Sequence, residues 1–320
     1  MIGSISKIRP CGHSCHYKYA SCPNADGMKY ISREWKSDVD GEGVWNKSLD
    51  TITNCYSLLK NCSDIKKVDL KLPKATSLWD FLHTSSNVTS IKIDAPNVTS
   101  IEYAFHNTKQ LEEIEVYCPK VVAIGGAFSI CYCKTEPKLG LKTASSANGA
   151  FDSGGTRMTK FGSNLENIQN GKNLFYYQDQ ITELKYPIDE NGECIYDSRL
   201  PQQIINGVPQ YKYLTLPKLT DGTGAFYLTK LDKPTSLSIL NSLPTHTDGN
   251  THNFSIGIHI DNKYDPDVNI ALKKCQNSYT TPIEEYGATL SENVTVDKGW
   301  TLAVQWTGSK TSNAYPEPNV

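Results

Sequence analysis

Phenylalanine and methionine are scarce in this chain, at 8 and 3 of 320 residues, whereas tyrosine reaches 18. So few large apolar side chains exclude one thick core, and the apolar residues are expected in thin layers. No run approaches the ~20 apolar residues that a membrane-spanning helix needs, so membrane insertion is not expected. The opening MIGSISKIRPC has no apolar h-region. A secretory signal is therefore not expected, and the chain reads as made in a reducing cytosol and kept or assembled there. No basic stripe is present and the net charge is -2, which argues against nucleic acid as a partner. The sequence also lacks a phosphate-cradling loop, a G-x-S-x-G elbow, an H-E-x-x-H helix and a dinucleotide fingerprint, so no catalytic residues are named and no enzyme is expected. Paired carboxylates for glycoside hydrolysis meet in space rather than in sequence, which keeps a polysaccharide-active enzyme as a competing reading.

Cysteine is plentiful, with 10 residues, and it clusters in CGHSCHYKYASC. Cys11, Cys15 and Cys22, together with His13 or His16, have the residue types of a structural zinc site. The same stretch holds a C-x-x-x-C-H variant of the haem attachment sequence, but covalent attachment follows export. No second C-x-x-C knuckle matches it, so disulfides and plain thiols remain open beside zinc. In each case the segment reads as a staple or anchor on an aperiodic N-terminal stretch, residues 1–50, and no other cofactor is implied. Cys118 reads as a small core filler, and Cys55, Cys62, Cys131, Cys133 and Cys194 have no ligand spacing. His246, Asp248, His252, His259 and Asp261 form a looser group, a polar loop or a loose surface ion site. His246 and His252 are expected in a turn, with His259 and Asp261 pointing outward from a strand.

The strongest signal is an internal repeat of 23 residues. Three segments align without gaps, starting at Ile65, Val88 and Leu111. Apolar columns run through Val68, Ile91 and Ile114, and through Leu70, Ile93 and Val116. Proline recurs at Pro73, Pro96 and Pro119, and each unit closes on Leu82, Phe105 or Phe128. The theme continues with Leu139, Leu141 and Phe151, then with ITELKYPI and YKYLTLPKLTDGTGAF, between insertions marked by Asn170-Gly171, Asn191-Gly192 and Asn206-Gly207. Alternation predicts a short strand in each unit, ended by a proline that has no N–H for the ladder. One such coil cannot bury its inward face, but stacked coils bury one another's, which is the logic of a solenoid. The expected fold class is thus α/β, a leucine-rich-repeat-like solenoid of short parallel strands over residues 51–230.

Residues 231–308 predict a different layout, a small αβαβ cap. PTSLSILNSLP reads as a helix ended by Pro244, and NFSIGIHID as a strand with Phe254, Ile256, Ile258 and Ile260 on one face. Asp265 and Pro266 open a second helix, and Leu302, Val304 and Trp306 share one face of a last strand. Residues 309–320 form a polar tail. Outward on the repeats, Asp69, Lys92 and Glu115 fall in one column, and Lys71, Asp94 and Tyr117 in the next. Alternating charge there suits cross-strand neighbours, and it makes Lys71, Lys92, Asp94, Glu115 and Tyr117 the candidate binding residues.

The 23-residue units, with strand, proline and a closing AF, resemble the leucine-rich repeats of BspA-like surface proteins. LNSLP, IGIHID and KGWTLAVQWTG are similar to the end module of such proteins from gut Bacteroidales and their phages. The resemblance covers roughly residues 51–308. It implies a non-enzymatic adhesive or structural module, in phages a fibre or tail component of the virion. With no export signal expected, the virion is preferred to a bacterial cell surface. The implied partners are other virion proteins, a host-surface glycan or receptor, and further copies of the chain. A purely structural connector within the particle, without host binding, is the alternative.

Overall fold

A computed structural model describes residues 44–62, 65–131, 138–152, 160–195, 200–276 and 298–309. The cysteine–histidine cluster of Cys11, His13, Cys15, His16 and Cys22, as well as Cys133 and all of the tail beyond Ser309, lies outside these residues. The described chain is α/β, with mostly parallel strands and two α-helices.

Five strands, β1 (Val44–Ser48), β2 (Lys67–Lys71), β3 (Ser90–Asp94), β4 (Glu113–Tyr117) and β5 (Lys138–Leu139), pair in chain order. All four pairings are parallel, and each joins residues 23 apart, for example Val68↔Ile91↔Ile114. Alternation decides which face turns inward. Val68, Leu70, Ile91, Ile93, Ile114 and Val116 are all buried, and the residues between them are exposed or half-buried. After β2 and β3 the residue before proline still donates to the next tier, Leu72 N to Asp94 O at 2.8 Å and Ala95 N to Tyr117 O at 3.0 Å. The proline then ends the pairing. A second ladder of parallel bridges runs Ser77↔Ser100↔Ala123↔Ser146↔Asn170↔Asp221 on the following stretch.

On the way back to the strand, a tier turns through two left-handed residues four positions apart, as at Ser57 and Asn61, Asp80 and Thr84, and Tyr103 and Asn107. The first series is Ser57, Asp80, Tyr103, Gly126, Gly149, Asn173 and Gly224. These residues direct backbone N–H groups along the stack, as in Asp80 N to Glu102 O (3.0 Å), Tyr103 N to Gly125 O (2.9 Å) and Gly126 N to Asn148 O (2.9 Å). Inside, the closing aromatics stack face to face: Phe105 on Phe128 (5.0 Å between centroids), Phe128 on Phe151 (5.3 Å), Phe151 on Phe175 (5.1 Å) and Phe175 on Phe226 (5.5 Å). Phe161 packs edge-on against both Phe151 and Phe175. Few phenylalanines are needed because one per tier fills the layer.

The tiers differ from the sequence reading in the middle of the chain. Strands β6 (Lys160–Phe161) and β7 (Glu183–Pro187) are parallel, but β10 (Tyr211–Tyr213) pairs with β7 antiparallel. The chain between them doubles back through a hairpin of β8 (Ile204–Ile205) and β9 (Val208–Pro209). Asn206-Gly207 closes it with both φ positive, at 51° and 79°, the backbone a two-residue hairpin prefers. YKYLTLPKL therefore does not open with a parallel tier strand, and Pro187 belongs to a strand rather than ending one. Asn170-Gly171 is not an insertion turn either. Asn170 continues the bridge ladder, and Gly171 sits where a Cβ would come within 2.9 Å of Leu219.

The last part joins a three-stranded parallel sheet, β11 (Gly222–Leu231), β12 (His252–His259) and β13 (Trp300–Thr307), to helices α1 (Lys233–Ser242) and α2 (Pro266–Cys275). Strand β11 also serves the preceding stack, since Asn170 bridges to Asp221 and Phe175 N donates to Ala225 O at 2.6 Å. Asp232 caps α1, and Asp265 caps α2 by accepting from Asp267 N and Val268 N. Two expectations change in β12. His252 begins the strand instead of lying in a turn, and the strand ends at His259, so Ile260 enters a 3₁₀ turn, Ile260–Asn262. The strand is also buried on both faces. Ser255 Oγ accepts from Gly224 N at 2.9 Å, and a Cβ on Gly257 would lie 2.5 Å from the Thr229 carbonyl. Both residues are small because β11 passes over them.

Candidate functional site

The predicted strand face is assembled by the parallel register. Asn46, Asp69, Lys92, Glu115 and Lys138 form one continuous column, and Ser48, Lys71, Asp94 and Tyr117 form the next. Lys92 Nζ lies 3.3 Å from a Glu115 carboxylate oxygen. The lysine is about half exposed, at 47%, so the pair is solvent-screened and orders the surface more than it stabilises the fold. All five predicted residues thus stand on one outward face, spread over β2, β3 and β4. The arrangement offers alternating charge and one tyrosine. It places no nucleophile beside a base.

The remaining candidates separate. Burial pushes the thiols of Cys55 and Cys131 up to about 12, and that of Cys118 higher still. Thiols held protonated in this way neither bind metal nor react readily. Cys131 instead donates to the Phe105 carbonyl at 2.9 Å. The histidine group splits between the two ends of β12. His246 and His252 stack in parallel at 3.5 Å, with His252 Nε2 3.0 Å from Asp248, whereas His259 is 3.4 Å from Asp261. Among the described residues, no three His, Cys, Asp or Glu side chains converge on a metal-sized space.

Two features carried no spacing signal in the sequence. The first is a cavity of about 260 Å³ lined by Leu139, Lys142, Asn164, Asp189, Glu193 and Cys194, with an ion pair between Lys142 and Glu193 at its rim. The second is the side of the stack formed by the left-handed turns. There the buried Asp80 receives Ser57 Oγ at 3.0 Å, Lys60 and His83. Burial alone would raise the Asp80 carboxyl, but the bonds from His83, Lys60 and Ser57 together hold it below the usual carboxylate range. His106 packs edge-on to His83 at 4.6 Å, and burial, reinforced by the charge of His83, lowers its pKa. On the same side Tyr56 stacks on Trp79 at 4.5 Å, with Tyr103 perpendicular to Trp79 at 6.2 Å. Tyr176 stacks on Tyr227 at 5.0 Å, with Tyr177 perpendicular to both. Tyr56 and Trp79 stand one 23-residue period apart, and Tyr176 and Tyr227 are 51 apart, but none falls in the apolar columns, so periodicity read as core packing passes over them.

Compared with family models, with curated proteins and with solved structures, the chain matches none.

Proposed function

We propose that the chain is a leucine-rich-repeat-like solenoid that works without catalysis, as a structural and adhesive component of a phage particle. Its outward strand face, Lys71, Lys92, Asp94, Glu115 and Tyr117, then makes contact with a neighbouring virion protein or a host-surface receptor. The observation that carries this reading is the unbroken parallel register of β1 to β5. It aligns charges of alternating sign into two columns on one outward surface, where Lys92 and Glu115 form a solvent-screened ion pair. Parallel tiers also build an extended rigid surface from little apolar material, which suits a protein that binds by shape. No helix of the described residues is long and apolar enough to cross a membrane, consistent with a particle component that is not membrane-inserted. The bacterial cell surface is the alternative location.

Mass spectrometry and antibody labelling of purified particles test the proposal. The chain is expected on the particle exterior, and antibodies against the strand face are expected to block adsorption to host cells. Absence from particles overturns the virion reading.

A further inference from the structure

The cavity beside Leu139 lies where the strand face loses a side chain. Gly140 stands one 23-residue period after Tyr117, and the pairing of Val116 with Leu139 places it next in the column of Lys71, Asp94 and Tyr117. It is part of the cavity lining. A second wall comes from a tight hairpin that follows β7. Ile188 bridges Cys194 antiparallel, Asp189 N donates to Glu193 O at 2.9 Å, and Ile195 N to Pro187 O at 3.0 Å. Gly192 turns this hairpin with a φ of 76°. Lys142 pairs with Glu193 from one wall to the other, and Lys212 Nζ donates to the Gly192 carbonyl at 2.7 Å. These bonds fix the hairpin against the tier.

One lining residue points to a ligand. Asn164 is only 5% exposed, and it lines the cavity. Its Oδ1 accepts from Glu166 N at 2.9 Å, which sets the orientation of the amide. Its Nδ2 donates to none of the described residues. A buried amide N–H without an acceptor is costly, and an acceptor that enters the cavity removes the cost. Asp189 brings the complementary group. Bonds from the backbone N–H groups of Glu193 and Asn191 hold its carboxyl below the usual range, so it accepts at neutral pH. Two carboxylates against one ammonium, at Asp189, Glu193 and Lys142, disfavour an anion. An ammonium ligand has donors alone and leaves Asn164 unsatisfied. Hydroxyl groups both donate and accept, and the C–H face of a sugar ring suits the apolar surface of Leu139, Leu141 and Leu200. The volume of about 260 Å³ lies between the roughly 150 Å³ that holds a benzene ring and the roughly 300 Å³ at which drug-sized sites begin. One ring fits, and a longer chain of sugars does not.

We propose that this cavity binds one neutral sugar residue, the terminal residue of a surface glycan, with Asn164 Nδ2 donating to one of its oxygens and Asp189 accepting from a hydroxyl. The proposal rests on the reading of the chain as a non-enzymatic surface-binding protein, and it names the sugar contact of that protein.

Titration of the full chain with the methyl glycosides of glucose, galactose, mannose and N-acetylglucosamine, followed by NMR, tests it. At least one is expected to bind at millimolar concentration and to shift the side-chain amide resonances of Asn164. Asn164→Asp keeps the acceptor for Glu166 N and removes the donor, so binding should weaken about tenfold, as expected for loss of one hydrogen bond. Leu200→Trp, at a position 41% exposed, fills the cavity from its rim and should abolish binding with the melting temperature nearly unchanged. Lost binding in that variant then cannot be ascribed to unfolding. Failure to bind all four glycosides, or unchanged binding in either variant, overturns the site. A chain present on particles that takes up no sugar overturns the cavity alone. Asn164-dependent sugar binding by a chain absent from particles supports the cavity and overturns the virion reading.

Discussion

The stack of β1 to β5 and the β11–β12–β13 unit both use parallel strands, yet they cover them differently. In the stack each of β2, β3 and β4 has one buried and one outward face, and the buried residues join the common core. In the C-terminal unit, the middle strand β12 is buried on both faces over Phe254–Ile258. Helices α1 and α2 pack together there, with Cys275 Sγ donating to the Leu240 carbonyl at 3.1 Å. The β1–β5 sheet thus keeps one face outward, whereas the sheet of β11 to β13 buries both faces of its middle strand. The aromatic column crosses from one region to the other, because Phe226 of the shared strand β11 meets Phe254 of β12 edge-on at 5.8 Å.

The largest effects should come from breaking that column. Phe128, 2% exposed, lies between Phe105 and Phe151. Phe128→Ala should cost about 3–5 kcal/mol in chemical denaturation. Phe254→Ala should cost a similar amount, and in both variants the two regions should melt in one transition. Separate transitions would divide the regions that the shared strand joins.

Next in size is the helix cap, which belongs to the C-terminal region alone. Asp265→Ala removes the acceptor for two α2 amides and one partner of Lys233. A loss of about 1–2 kcal/mol is expected from the cap, while the ion pair, exposed on the lysine side, adds little. The melting temperature of Asp265→Asn, which can still accept, should fall less.

Much of this comparison was legible in the sequence. Val68, Ile91 and Ile114 sit at the period that sets the hydrogen-bond register, so strand, direction and inward face all followed from spacing. The cap residues Asp265 and Pro266 were readable because capping is local chemistry. Asn170-Gly171 misled because the same dipeptide serves a turn or a close approach, and only the position of Leu219 decides between them. Ser255 and Gly257 gave a half-exposed pattern because their burial comes from β11, a distant segment. The Lys60–Asp80–His83 network and the exposed Tyr103 and Tyr177 escaped because polar and aromatic residues on an outer turn follow no apolar rule. The outward columns of Lys71, Asp94 and Tyr117 and of Asp69, Lys92 and Glu115 were readable, since cross-strand neighbours need only the register.

Acid should separate the regions more gently. His106 in the stack has its pKa lowered by burial, so the unfolded chain takes up a proton first as pH drops below about 6.5. Stability from this group is present above that pH and is lost as pH falls toward the folded value. In the C-terminal region His252 is raised, with its bonds to Thr220 and Asp248 outweighing burial, while the stacked His246 is lowered by burial and by the charge of His252. Stability from His252 is present below about pH 6.5 and is lost as pH rises through its folded value, opposite in sign to His246. His106→Asn should therefore flatten the loss of stability below pH 6.5 more than joint replacement of His246 and His252, as read from melting temperature against pH. The smallest effect is expected at the strand face, where Lys92→Ala should change stability by about 0–1 kcal/mol, less at high salt.

That small stability cost makes the strand face open to a clean functional test. Lys92, Asp94 and Tyr117 can be changed together to alanine and the folded variant compared with the wild type for attachment to purified particles and to host cells. The account predicts that the melting temperature stays nearly unchanged and that attachment is lost. Full attachment by the triple variant would contradict it and remove the strand face as the working surface.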